Sequence, residues 1–157
     1  MSVQVVIMMG SQSDMPVMEA AEKVLDDFAV EYETRVLSAH RTPKETAVYA
    51  EGLKERGVQA AICGAGMSAA LSGVVAAHTT LPVIGVPLNA SDLNGMDALL
   101  STVQMPPGVP VAGVAIGQAG AKNAAYLALR MIALNDPEIE QKLTAYREEQ
   151  RKKILGQ

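Results

Sequence analysis

The chain has no tryptophan, one phenylalanine, four tyrosines and a single cysteine, Cys63. With so few aromatics, the hydrophobic 49% of its 157 residues is carried by Ala, Val, Leu, Ile and Met. Small side chains let helices and sheets approach closely and leave apolar faces for a partner subunit to cover, so self-association is expected. One cysteine excludes an internal disulfide framework and argues for a reducing compartment. Two histidines and that cysteine show no metal-ligand spacing, so no metal is expected. No apolar run reaches the roughly 18 residues of a membrane span. Met1-Ser2-Val3-Gln4 enters a strand pattern instead of a charged signal sequence. A cytoplasmic chain with no membrane partner is the expectation. An excess of positive charge is also missing, with 13 basic against 17 acidic residues. The one basic cluster, Arg147 and Arg151-Lys152-Lys153, reads as the positive end of a last helix complementing its dipole. Nucleic-acid binding is not expected.

What is present is an alternation of apolar β-branched runs with helical patterns. The length suits a single domain over 1–157, with a core over 1–135 and a C-terminal helix over 136–157. Val3 to Met9 is nearly continuously apolar, as in a strand covered on both faces. Met18, Ala21, Leu25 and Phe28 then recur at helical spacing. Tyr32 to Leu37 predicts a second strand, nearer the sheet edge because polar residues alternate in it. Thr42 to Glu45 offers a capping box with Pro43 at the first helical position, and Gly57 suits the C-terminal cap. Further strands are predicted over 59–63, 81–86 and 111–116. Further helices are predicted over 68–78, 94–103 and 121–134, and a last one after Asp136-Pro137 with a partial apolar stripe at Ile139, Leu143, Tyr146 and Ile154.

Five strands alternating with helices imply right-handed crossovers and a parallel sheet covered on both faces. The expected fold is α/β: a flavodoxin-like three-layer α/β/α sandwich, strand order 2-1-3-4-5, plus the C-terminal helix. Ligands bind such sheets outside the carboxyl ends of the strands, near strands one and three. That directs attention to three loops.

The first reads Gly10-Ser11-Gln12-Ser13-Asp14. Its hydroxyls suit a phosphate or sugar at a helix N-terminus, yet Ser13 or Asp14 would equally serve as an ordinary cap. The second holds His40 beside Arg41 at the end of strand two. Arginine grips phosphate or carboxylate with a permanent, forked charge, and histidine is readily poised to exchange a proton near neutral pH. The third, Gly64-Ala65-Gly66-Met67-Ser68, lets a ligand pass close to the main chain. Cys63 before it reads as a buried small hydrophobe, and His78 as a helix C-terminal residue complementing the dipole. A flavin-binding electron carrier would stack its ring on aromatic side chains, and these loops have none. A phospho-receiver needs an aspartate after strand three and a lysine after strand five, where this chain has Cys63-Gly64 and Gly117-Gln118.

Together, Met9-Gly10-Ser11-Gln12-Ser13-Asp14, Ser38-Ala39-His40-Arg41-Thr42-Pro43 and Gly64-Ala65-Gly66 resemble the signature loops of the N5-carboxyaminoimidazole ribonucleotide mutase family. That family is also labelled phosphoribosylaminoimidazole carboxylase, catalytic subunit. The segments 81–87, 103–111 and 121–125 match it too, so the resemblance covers nearly the whole chain. It implies purine biosynthesis without cofactor or metal: a carboxylate moves from the exocyclic nitrogen of an aminoimidazole ribonucleotide to ring carbon four, through bound carbon dioxide. By the same resemblance His40 is the proton-transfer residue. Arg41 and Ser38 would hold the phosphate, while Ser11 and Asp14 would orient the ribose and substrate. Ala39, Ala65 and Gly66 would form a dry wall, and Ser13 and Met67 complete the expected binding set. The family implies a homo-octamer with sites at subunit boundaries, the C-terminal helix packing on a neighbour. It also implies an ATP-dependent carboxyaminoimidazole ribonucleotide synthase as functional partner. One departure stands out. Where mutases usually read Ala-Ala-His-Leu-Pro-Gly, this chain has Ala70 for the histidine and Ser72 for the proline. An alternative is therefore a carboxylase acting on the free amine and carbon dioxide, or a relative with a changed substrate.

Overall fold

The computed structural model describes residues 2–157. Five parallel strands form one sheet in the order β2-β1-β3-β4-β5. They are β1 (Val5–Met9), β2 (Tyr32–Val36), β3 (Ala60–Gly66), β4 (Val83–Leu88) and β5 (Ala112–Gly113), and six helices accompany them. These are α1 (Met15–Asp27), α2 (Pro43–Glu51), α3 (Leu71–His78), α4 (Met96–Val103), α5 (Gln118–Ala133) and α6 (Pro137–Leu155). The predicted flavodoxin-like sandwich and its strand order are what the chain adopts.

The unbroken apolar run of β1 has a direct cause. Successive side chains point to opposite faces, and both faces are covered. Val5, Ile7 and Met9 enter a core shared with Met18, Leu25, Leu129 and Ile132 of α1 and α5. Val6 and Met8 enter a second core with Leu53, Leu71 and Val75. β2, at the edge, is only half-buried, as its alternating polar residues predicted. The first half of α6 adds Ile139, Leu143 and Tyr146 to the α1–α5 core, where Tyr146 stacks on Tyr126 with ring centroids 5.0 Å apart. Its far end leaves Ile154 85% exposed.

Several element limits differ from expectation, each for a local reason. β3 runs on to Gly66, since Ala65 and Gly66 pair with Pro87 and Leu88. α3 begins at Leu71 and not Ser68, because Met67 takes a left-handed conformation (φ 56°) that breaks a helix. α4 starts at Met96 after Asn94 and Gly95, both at positive φ. α2 closes at Glu51, and Gly57 (φ 84°) ends the turn beyond it. The capping box at Thr42 does not form: its hydroxyl turns back to Ser38, accepting from the Ser38 amide at 2.9 Å and donating to its carbonyl at 3.1 Å. β5 is two residues long, and α5 begins after Gly117 at Gln118.

Candidate active site

The carboxyl ends of β1, β2 and β3 open into one cavity of about 650 Å³. Every residue of the expected catalytic and substrate-binding set lines it: Ser11, Ser13 and Asp14 after β1, Ser38, Ala39, His40 and Arg41 after β2, and Ala65, Gly66 and Met67 at the end of β3. A larger cavity of about 720 Å³, lined by Glu51, His78 and Thr79 among others, lies at the opposite end of the strands. The first carries the better constellation for chemistry, because the histidine, the arginine and the hydroxyl groups converge there. Of the two histidines, only His40 reaches it. His78 ends α3 as expected, with Nδ1 3.0 Å from Glu51 Oε1.

The first loop is built as a reciprocal cap. Ser11 Oγ accepts from the Ser13 amide at 3.3 Å, and Asp14 Oδ2 accepts from the Ser11 amide at 3.2 Å. Capping and cavity lining are thus compatible roles for the same residues. Ser11 and Ser13 also share a hydroxyl–hydroxyl bond of 2.9 Å. Burial pushes the Asp14 carboxyl up from its ordinary value, partly opposed by the Ser11 amide and the positive charge of Arg41.

The second loop is braced from within. The Thr46 hydroxyl, fully buried, donates toward the carbonyls of Thr42 (2.8 Å) and Ser38 (3.3 Å). Ser38 Oγ accepts from the Arg41 amide at 3.1 Å and lies 3.3 Å from its Nε. The Arg41 side chain then crosses to the first loop, donating from Nη2 to Gly10 O at 2.8 Å. No ion pair to a carboxylate neutralises it among the described residues, so its charge stays available to an anion. His40 is exposed beside it at the cavity.

The third wall is apolar. Ala39, Ala65, Gly66, Ala69, Ala70 and Leu71 line it, with Met67 59% exposed at its edge. Position 70 does face the cavity, where its alanine presents a methyl group in place of the imidazole that the family resemblance led us to expect. Ala90, after β4, lines the cavity as well and was not singled out from the sequence. The available signal was its place beyond the carboxyl end of a strand next to β3. A Cβ built on Gly66 would come 2.5 Å from the Ala90 Cβ, so the two backbones meet only because residue 66 has no side chain. Cys63 is buried, and burial pushes its thiol up to about 12, which leaves it an unreactive thiol beneath the site.

Fold and site together define an α/β protein whose cavity at the carboxyl ends of the strands sets a histidine, an arginine and several hydroxyls against an apolar wall. Residues 4–153 match the family model for AIR carboxylase, and the chain belongs to that family. It is 56% identical over 146 residues to the N5-carboxyaminoimidazole ribonucleotide mutase of Pyrococcus abyssi, covering 93% of this chain and 83% of that one. The mutase of Vibrio cholerae is 51% identical over 149 residues, covering 95% and 92%. The crystal structure of Treponema denticola PurE superposes with a TM-score of 0.87 at 35% identity, covering 98% of this chain and 94% of that one.

Proposed function

We propose that this chain is a purine-biosynthesis isomerase that converts N5-carboxyaminoimidazole ribonucleotide to 4-carboxy-5-aminoimidazole ribonucleotide. The observation that carries the proposal is the pairing of His40 and Arg41 at the mouth of an apolar chamber, in a chain about half identical to enzymes named for that reaction. Those names support the mutase over a carboxylase that takes up free carbon dioxide.

The residues can divide the work as follows. Arg41 and Ser38 hold the phosphate, the forked guanidinium matching its oxygens. Ser11, Ser13 and Asp14 orient the ribose and ring. When the nitrogen–carboxylate bond breaks, its electron pair stays on nitrogen, which takes a proton from His40, and carbon dioxide is left in the chamber. Ring carbon four then attacks the carbon dioxide and surrenders its proton to His40, which restores ring aromaticity. One imidazole thus gives and takes one proton, with no net change. The methyl and backbone surfaces of Ala39, Ala65, Ala70 and Gly66 keep water from the carbon dioxide, with Met67 at the rim.

Exposed apolar side chains at Val48, Leu93, Met96, Leu100 and Ile154 support self-association in which neighbours cover them, and the family resemblance makes the assembly a homo-octamer with the end of α6 packed on another subunit. A cytoplasmic location and supply by an ATP-dependent carboxyaminoimidazole ribonucleotide synthase accompany this reading, and the reaction needs no cofactor or metal. No helix among the described residues is long and apolar enough to cross a membrane.

The test is a side-by-side assay of the N-carboxylated ribonucleotide and of the free amine with bicarbonate. Turnover of the N-carboxylated substrate without added bicarbonate is expected. A strong rate only with the amine and carbon dioxide would overturn the proposal.

A further inference from the structure

The loop from β4 to α4 is held in an unusual way. Asn94 and Gly95 both adopt positive φ (53° and 83°), a conformation that asparagine and glycine tolerate best, and at 95 an added Cβ would lie 2.8 Å from Ile116 Cγ2. Before them, Ser91 Oγ accepts from the Leu93 amide at 3.1 Å and donates to Asp97 Oδ2 at 2.7 Å. The other carboxylate oxygen, Asp97 Oδ1, is buried and has no hydrogen-bond partner among the described residues. A first-turn aspartate that only complemented a helix dipole would leave its oxygens to solvent. A buried oxygen without a donor calls for a reason elsewhere, and strained backbone clusters where geometry is used.

That reason lies one residue upstream of Ser91. Ala90 lines the substrate cavity and rests on Gly66, the last residue of β3. We propose that Asp97 is a positioning residue for the reaction: through Ser91 it presses Ala90 onto Gly66 and so seals the chamber wall behind which carbon dioxide waits. The inference rests on the mutase reading, but the hold itself is a property of the fold and can be read separately.

Two measurements test it. In the first, wild type, Asp97→Ala, Asp97→Asn, Ser91→Ala and the Ser91→Ala/Asp97→Ala double variant are given the N-carboxylated substrate. The free amine released is then compared with the carboxylated product formed, after subtracting decarboxylation in buffer. Asp97→Ala and Ser91→Ala should each raise amine release per product about three- to tenfold, the range that one hydrogen bond supplies. The double variant should match either single one, because both break the same link. Asp97→Asn, which keeps an acceptor for Ser91, should lie near wild type. Ser101→Ala, one turn further along α4, should change nothing, so a general loosening of the helix is distinguishable. The second measurement is amide hydrogen exchange at Leu93, whose protection should fall in both single variants.

An unchanged amine-to-product ratio in a turning-over enzyme would overturn the inference, as would multiplicative single effects. If wild type shows no mutase turnover, the functional reading fails, and the exchange measurement then decides: unchanged Leu93 protection overturns the hold as well. Should Asp97→Ala fail to fold, Ser91→Ala carries the same two expectations.

Discussion

Arg41 and Gly10 join the first two ligand loops: the guanidinium Nη2 donates to the Gly10 carbonyl at 2.8 Å while Nε lies 3.3 Å from Ser38 Oγ. The arginine is therefore aimed before any substrate arrives. Preorganisation of this kind lowers the ordering cost of binding.

Arg41→Lys removes the fork while keeping the charge. A lysine ammonium cannot bridge Gly10 and a phosphate in the same plane. We expect KM to rise by about tenfold in Arg41→Lys and more in Arg41→Ala, with kcat less affected, because a phosphate gripped by Arg41 as proposed would be held alike in ground and transition states. Steady-state kinetics on the N-carboxylated substrate check this. A change confined to kcat would place Arg41 in the chemical step instead.

His40→Asn should abolish turnover yet retain product binding by calorimetry. With alanine at position 70, no second imidazole lines the cavity to replace it. Near-normal turnover in that variant would remove His40 from its assigned role.

Met67 carries a side chain in left-handed backbone (φ 56°) at the cavity edge. Met67→Gly should relieve about 1–2 kcal/mol of left-handed strain, partly offset by the roughly 0.5–1 kcal/mol of backbone entropy that glycine costs, seen as a slightly higher unfolding midpoint. The same change removes part of the rim, so KM for the ribonucleotide should rise. A fall in stability would show that the Met67 side chain holds the loop more than its backbone strains it.

Cys63 supplies a test of burial by pH. Its ordinary value of 9.0 is raised to about 12 in the fold, so the unfolded chain releases a proton that the native state keeps. The neutral thiol's contribution is complete below pH 9.0 and is lost between pH 9.0 and about 12, at up to about 1.4 kcal/mol per pH unit. Denaturant melts across that window should show wild type losing more stability than Cys63→Ala. Equal losses would mean that the thiol meets solvent in the native state.

How much was legible in advance differs from element to element. Val5 to Met9 could be read as a two-faced strand because its apolar run has one physical explanation in an α/β chain. His40 and Arg41 could be read as functional because their types, adjacency and strand-end position coincide. The turn at Thr42 misled, since a Thr and a Glu at capping spacing say nothing of a competing bond to Ser38. The starts of α5 and α3 depended on Gly117 and Met67 adopting positive φ, which local apolar periodicity does not encode.

By itself, then, the sequence determined the alternating β and α order, the apolar faces and the chemical groups at the strand ends, because these follow from local periodicity and residue type. Only the tertiary structure decided that Arg41 reaches Gly10, that Ala90 closes on Gly66 and that Asp97 stands behind Ser91. Those contacts join residues brought together by packing, and their distances are set by the sheet register and the loop conformations.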